Sequence, residues 1–147
     1  MRFSVNDVSI RGPLGESEVF DVWPKAEAMF DAALQRDGWK LTTADLLSQV
    51  SEGLVGIYLI EDEETGELLA VLAVEVQEYP QSNVLNLAYC GGHDLYRWAG
   101  LLGAMESEAA RLGCDTVRIT GRPGWGRIFP DYSEAHRVFE RKVVLES

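Results

Sequence analysis

The spacing of apolar residues predicts two helices in the first third of the chain. From Asp21 to Gly38 apolar residues recur every three or four positions, which is the period of an amphipathic helix. Asp21 is the predicted N-cap and Gly38 the predicted stop. A second helix is predicted to begin at Thr42 or Thr43 and to end at Gly53.

The period then shortens to that of β-strands. Residues 54–60 form an apolar run typical of a buried strand, residues 61–67 an acidic hairpin loop, and residues 68–76 a returning strand. A further strand is predicted at residues 84–89. Residues 1–20 mix short apolar alternation with glycines, and they predict either a first strand or an extended N-terminal arm.

A third helical pattern runs from Asp94 to Leu112 with one continuous apolar face. The next predicted strand covers residues 116–120. A strand, a helix and a strand in succession imply a crossover connection, so the strands on either side of this helix should be parallel. A short helical piece is expected through Phe129, and the alternation over residues 134–145 predicts a last strand.

Length and charge restrict the class of protein. The 147 residues suit one domain covering residues 1–147. A formal net charge of −11 argues against direct binding of nucleic acid and against anionic membrane surfaces. Cys90 and Cys114 lack metal-site spacing and are expected to be free, buried thiols in a reducing compartment. With no signal peptide and no membrane-length apolar run, the expected location is a cytoplasm.

The segment most suggestive of chemistry joins a predicted strand to the third helix. It contains Gly91 and Gly92, then His93 and Asp94, with Arg97 in the first helical turn. A strand, a glycine-rich turn and a helix start can form an anion site, because unpaired N–H groups and the helix dipole face the same way. Arg97 is the best candidate for a phosphate ligand.

The order of these elements resembles the fold of GCN5-related N-acetyltransferases (GNAT), over nearly the whole chain. The resemblance implies an α/β (α+β) fold, with a central mixed, mostly antiparallel sheet and helices on both faces. It also implies an acyl-CoA N-acyltransferase activity. In that family acetyl-CoA lies beside the strand before the central helix. A turn of the form Gln/Arg-x-x-Gly-x-Gly/Ala holds its pyrophosphate.

A narrower resemblance is to small GNAT-like proteins encoded by tailed bacteriophages. The residues that carry it are Cys90-Gly91-Gly92-x-Asp94-Leu95-x-x-Trp98 and Gly121-Arg122-Pro123-Gly124-Trp125-x-Arg127. Such proteins are described either as acetyltransferases or as virion-associated components. This resemblance implies the host cytoplasm as the location, incorporation into a virion in the second case, and phage structural proteins as partners.

The cofactor pattern of the family is not matched in either register of the double glycine. If Gly91 takes the first glycine position, His93 replaces the required small residue. If Gly92 takes it, Asp94 does. As an N-cap, Asp94 would also satisfy the N–H groups that a pyrophosphate needs, and its charge would repel that pyrophosphate.

Acetyl transfer to an amine needs a base and an acid. The resemblance implies a glutamate on a central strand as the base, and Glu75 is the candidate, although an ordinary solvent-facing strand position is the alternative. The family often uses a tyrosine on the last helix as the acid, and this sequence has none there. His93 and His136 are far apart in sequence and lack ligand spacing, so no metal site is predicted.

Arg122, Trp125 and Arg127 form the candidate partner-binding cluster in an otherwise acidic chain. Arginine side chains suit carboxylates or phosphates, and an exposed tryptophan suits a protein interface. Internal ion pairs for the arginines and a buried position for Trp125 are the alternatives.

Two functional hypotheses follow. In the first, a bacteriophage-type GNAT-fold protein has a degenerate acetyl-CoA site and no cofactor, and it acts through protein–protein contacts as a virion-associated or assembly component. In the second, it is an active N-acetyltransferase that binds acetyl-CoA through an atypical loop. Neither the acceptor substrate nor the oligomeric state follows from the sequence.

Overall fold

The computed structural model describes residues 1–120, 131–135 and 138–144. The described residues contain a six-stranded sheet and four α-helices, with a 3₁₀ helix between the third and fourth α-helices. In chain order the elements are β1 (Arg2–Val5), β2 (Val8–Arg11), α1 (Glu16–Arg36), α2 (Thr43–Ser51), β3 (Gly56–Asp62), β4 (Leu68–Tyr79), β5 (Ser82–Gly92), α3 (Leu95–Trp98), the 3₁₀ helix (Ala99–Gly103), α4 (Ala104–Arg111) and β6 (Thr116–Ile119).

The sheet is mixed and mostly antiparallel, as predicted. Its strands lie in the order β1-β2-β3-β4-β5-β6, and every neighbouring pair is antiparallel except β5 and β6. The parallel pair flanks the helical crossover, which confirms the prediction for the strands on either side of it. The first residues form the β1–β2 hairpin instead of one strand or an arm.

Helix α1 begins earlier than the predicted N-cap at Asp21, which lies in its second turn. Gly15 is the residue at the N-cap, and its N–H donates to Glu18 Oε1 at 3.2 Å. Buried Val19 extends the apolar stripe toward this earlier start. Pro24 lies inside the helix on its exposed side. The predicted start was therefore wrong.

Helix α2 begins as predicted. Thr42 is its N-cap: the Asp45 N–H donates to Thr42 Oγ1 at 3.2 Å, and the Thr42 N–H donates to Asp45 Oδ2 at 2.8 Å. This reciprocal pair is a capping box. Gly53 follows the helix with a φ of +77°, a conformation that favours glycine.

The predicted central helix over residues 94–112 is not continuous. Two α-helical pieces, α3 and α4, flank the 3₁₀ turn, which contains Gly100 and Gly103. Glycine is a poor helix former, and two glycines within one turn weaken the α-helical hydrogen-bond pattern there. The apolar face nevertheless stays buried, at Trp98, Leu101, Leu102, Met105 and Ala109.

Helices cover both faces of the sheet, as predicted. One core lies beneath α1 and α2 and includes Trp23, Phe30, Leu46, Leu59, Val71 and Ala73. The other lies beneath α3, the 3₁₀ turn and α4 and includes Ile10, Ile60, Leu72, Leu87, Trp98 and Met105. In the second core, Tyr58 donates its hydroxyl to Glu108 Oε2 at 2.6 Å, and Arg111 Nε donates to Glu108 Oε1 at 2.6 Å.

The predicted last strand is not formed by the described part of residues 134–145. Residues 134–135 and 138–144 have no strand conformation, and Val138, Phe139 and Val144 are at least 81% exposed. Alternating apolar residues favour a strand only when one face is buried, and these side chains are not. Glu140 pairs with Lys40 at 3.1 Å. The helical piece expected through Phe129 lies outside the described residues.

No helix within the described ranges has both the length and the apolar character needed to cross a bilayer.

Candidate cofactor and catalytic site

The double glycine continues strand β5 and does not form the predicted turn. Gly91 and Gly92 are still paired with β4. A Cβ atom on Gly91 would lie 2.2 Å from the carbonyl oxygen of Met29 in α1. A Cβ on Gly92, whose φ is +143°, would lie 2.4 Å from the carbonyl oxygen of Leu69. Both glycines are therefore required for close backbone approach within the fold itself.

His93 is tied to its neighbours through its backbone. Its N–H donates to the Leu69 carbonyl oxygen at 3.0 Å, and its carbonyl oxygen accepts from the indole Nε1–H of Trp98 at 2.7 Å. The half-exposed imidazole lies 3.7 Å from Glu67 and 3.5 Å from Asp94. The His93 N–H is thus already used, although an anion site at this position would need it.

Asp94 occupies the N-cap position of α3, but its side chain makes no capping hydrogen bond. Its backbone is left-handed, with φ 57° and ψ 42°. The carboxylate lies 3.5 Å from His93 Nδ1. The prediction that this carboxylate caps the helix was wrong, because the left-handed backbone departs from the extended conformation of a side-chain cap. Its negative charge next to a cofactor phosphate would still be unfavourable.

Arg97 is engaged in an ion pair with Asp62 at the end of β3. Its Nη2 lies 2.5 Å from Asp62 Oδ2. The same carboxylate accepts the N–H groups of Glu64 and Thr65 at 2.8 and 3.0 Å. The hydrogen bond from Arg97 is the largest cause that lowers the pKa of Asp62 to about 2, and the two N–H groups also contribute. The carboxylate at the start of the acidic hairpin loop thus binds Arg97, the predicted phosphate ligand.

The helix start at Leu95 also defines a third register for the family's pyrophosphate pattern. In this register His93, Tyr96 and Trp98 fall on the positions of Gln/Arg, Gly and Gly/Ala. Trp98 is only 2% exposed and belongs to the core. None of these three registers matches the pattern Gln/Arg-x-x-Gly-x-Gly/Ala.

Glu75 is half-buried in a polar network that crosses three strands. Its Oε1 accepts from Asn86 Nδ2 and from Gln77 Nε2, both at 2.9 Å. Thr120 Oγ1 in turn donates to Asn86 Oδ1 at 3.2 Å. Asn86 and Thr120 were missed from the sequence. Asn86 had a visible signal, because it is the one polar residue within the apolar run of β5.

Tyr89 lies near Glu75 and is a candidate acid that sequence reasoning missed. It packs against the core beneath α1 and α2, and its ring meets that of Trp39 edge-on, with 5.1 Å between centroids. Burial, together with the negative charge of Glu75, raises the Tyr89 pKa. A hydroxyl that keeps its proton in this way can donate it to a leaving group.

Strand β5 extends past the end of its parallel partner. It pairs with β6 only from Val84 to Leu87, and the Thr120 N–H makes one more bond to the Leu87 carbonyl at 3.3 Å. Within the described ranges, Ala88–Gly92 have no strand beside them on that side. Tyr96, in the first turn of α3, is 86% exposed.

The predicted partner-binding residues Arg122, Trp125 and Arg127 lie outside the described residues, as does His136. The nearby Arg118 is described. Its Nη1 donates to Gln77 Oε1 at 2.8 Å and to the Tyr79 hydroxyl at 3.0 Å. In the part of the chain that the structure covers, no group of three or more His, Cys, Asp or Glu side chains could hold a metal ion.

No protein-family model and no curated protein matches the sequence. Solved structures do match. A GNAT family acetyltransferase of Staphylococcus aureus is 13% identical, with a TM-score of 0.60, covering 93% of this chain and 99% of that one. An aminoglycoside acetyltransferase from an uncultured soil metagenomic sample, in complex with sisomicin, is 12% identical with a TM-score of 0.64, covering 96% and 98%.

A third structure is a predicted acetyltransferase of Clostridium acetobutylicum with acetyl-CoA. It is 10% identical, with a TM-score of 0.62, and the match covers 92% of this chain and 94% of that one. Identities this low carry no information about substrate or activity. Together with the sheet order and the helices on both faces, these likenesses show that the chain has a GNAT-like fold.

Proposed function

We propose that this GNAT-fold protein has a degenerate acetyl-CoA site and acts mainly through contacts with other proteins. The observation that carries the proposal is the close approach of Gly91 to Met29 and of Gly92 to Leu69. The glycines that resembled a cofactor loop are needed for packing and strand pairing. They give no reason to expect a cofactor at this place.

Two further contacts support the proposal. The His93 N–H is bonded to Leu69, and Arg97 is paired with Asp62. A bound pyrophosphate would have to replace both interactions and would meet the negative charge of Asp94. The net charge of −11 adds to that repulsion.

The setting of a tailed bacteriophage rests on the sequence resemblance over residues 90–98 and 121–127. In that setting the protein would be made in the host cytoplasm and would serve as a virion-associated or assembly component. Arg122, Trp125 and Arg127 are its proposed contacts with phage structural proteins. Detection of the chain in purified particles would support this, and its absence from them would restrict the role to the infected cell.

The second candidate is an N-acetyltransferase, and the opening beside Ala88–Gly92 favours it. Glu75 lies on the adjoining β4 strand, where it could hold a proton taken from an amine. Tyr89 could supply a proton, because its hydroxyl stays protonated. This candidate requires that acetyl-CoA bind without the contacts discussed above.

Titration with acetyl-CoA separates the two candidates. Binding heat and the melting temperature would be followed up to millimolar cofactor, with the Clostridium acetobutylicum acetyltransferase as the positive control. We expect no saturable binding and no rise in melting temperature. Saturable micromolar binding would refute the proposal and favour the enzyme.

A variant tests whether the ion pair between Asp62 and Arg97 prevents acetyl-CoA from binding. Asp62→Asn weakens the ion pair that holds Arg97. If this pair is what prevents phosphate binding, the variant should gain measurable affinity for acetyl-CoA. If neither the wild type nor Asp62→Asn binds, the ion pair alone does not account for the lack of binding. Both results agree with a degenerate site, whereas equal micromolar binding by both proteins does not.

A further inference from the structure

A groove of about 540 Å³ lies at the opposite end of the β4–β5 pair from the double glycine. Its walls come from the start of α1, the end of α2 and the residues entering β3, and β4 contributes residues 74–76. Gly92, by contrast, pairs with Ala70 at the other end of β4. At about 3.4 Å per strand residue, the six steps from Ala70 to Val76 span roughly 20 Å. The groove therefore lies about that distance from the double glycine, although it shares Glu75 with the candidate catalytic residues.

Large apolar side chains are exposed along this groove. Phe20 is 54% exposed, Leu54 60%, Val76 43% and Leu112 39%, and all four line it. A single exposed apolar residue is ordinary on a protein surface. Several around one concave site indicate a surface that another molecule covers.

The charged side chains that line the groove are both acidic. They are Glu16 and Glu75, and within the described ranges no lysine, arginine or histidine lines the groove. Both hydrogen bonds that Glu75 accepts go to Oε1, and no donor from the described residues is bonded to its Oε2. An apolar groove with carboxylates suits an apolar, positively charged occupant and disfavours anionic lipid or nucleic acid.

We propose that this groove binds a short segment of a partner protein that combines apolar side chains with lysine or arginine. The apolar side chains would cover Phe20 and Leu54, and a cationic group would pair with Glu75 or Glu16. This inference rests on the proposed function, which requires a contact surface, and it assigns one within the described residues.

Three labelled synthetic peptides of equal length test whether binding needs both apolar and positively charged side chains. One alternates lysine with leucine, the second alternates lysine with serine, and the third alternates glutamate with leucine. We expect the lysine–leucine peptide to bind about tenfold or more tightly than either of the others in fluorescence anisotropy. Equal binding of the two lysine peptides would show attraction by net charge alone and would overturn the proposal.

Substitutions of residues that line the groove test whether the peptide binds there. Phe20→Ser combined with Leu54→Ser should lower the affinity for the lysine–leucine peptide about tenfold. Tyr96→Ser removes a more exposed aromatic ring far from the groove and should change the affinity less than twofold. Glu75→Gln should lower the affinity for this peptide and reduce the salt dependence of its binding. Circular dichroism would confirm that each variant is folded. Unchanged affinity in the double variant would refute the site.

Sedimentation distinguishes a second copy of the chain from a partner. Dimerisation of the wild type that is lost in the double variant would mean that the groove binds another copy, which overturns the assigned occupant.

The acetyl-CoA titration reports separately on the proposed function. If neither the cofactor nor the peptide binds, the protein-contact function stands and its surface is elsewhere. If the cofactor binds, that function fails whatever the peptide does.

Discussion

Substitution of Gly91 by alanine tests whether this glycine serves packing or a cofactor. The added Cβ would lie 2.2 Å from the Met29 carbonyl oxygen and 2.6 Å from the carbonyl carbon. These are backbone atoms within α1, so no side-chain rotation can relieve the contact. Either the helix or strand β5 must move.

Overpacking of a protein core typically costs about 1–3 kcal/mol. The contact here is with backbone, which places the expected loss of unfolding free energy in the upper half of that range, at roughly 2–3 kcal/mol. With an m-value of about 2 kcal/mol per molar in urea, the midpoint should fall by roughly 1 M or more.

The chain offers a matched control at Gly103. A Cβ there meets no atom within 4 Å, and its φ of −58° is helical. Gly103→Ala should leave the urea midpoint unchanged or raise it, because alanine is favoured over glycine in helices by up to about 1 kcal/mol. Urea unfolding followed by tryptophan fluorescence would measure both variants and the wild type.

A shift of the Gly91→Ala midpoint by less than about 0.2 M, near the resolution of such curves, would show that α1 and β5 tolerate a Cβ at this position. A stable Gly91→Ala variant that also loses acetyl-CoA binding shown by the wild type would assign the glycine to the cofactor instead.

Three further predictions follow from described contacts. Tyr58→Phe removes the hydroxyl that donates to buried Glu108 and should cost about 1–3 kcal/mol of unfolding free energy, measured in urea. Asp62→Asn should lower the urea midpoint at neutral pH. Because Arg97 lowers the folded-state pKa of Asp62, this difference should shrink as the pH falls from 3.8 to about 2 and vanish below that, whereas a constant difference would contradict the assigned ion pair. Burial raises the Cys90 pKa to about 12, so the native thiol should react with a disulfide reagent far more slowly at pH 8 than it does in urea.

The sequence predicted α2 and the strands β3 to β6 well because their signals are local. Thr42 and Asp45 form a capping box from residues three positions apart, and the apolar run over residues 54–60 lies largely in β3. The start of α1 was misplaced because Asp21 followed by Pro24 has the pattern of an N-cap and a first-turn proline. Glu18, which binds the N–H of Gly15, gives the earlier start.

The site was harder to predict because its defining contacts join residues far apart in sequence. Nothing in the order of residues shows that Met29 lies against Gly91 or that Asp62 holds Arg97. From the sequence alone, the double glycine is equally compatible with a phosphate-binding loop and with a close backbone contact. Tertiary packing distinguishes them.

The order of the strands has a consequence for how the chain folds. Each strand pairs with the one before it along the chain, so β1 to β5 form a complete five-stranded sheet by Gly92. Each of β1 to β4 finds its next neighbour in the strand that follows it along the chain, and only β5 gains a neighbour, β6, from beyond the group. The longest connection within it is the one that holds α1 and α2, which also cover one of its faces. Synthesis from the N-terminus therefore produces a half-covered sheet first, and the later helical turns and β6 are added to a surface already in place.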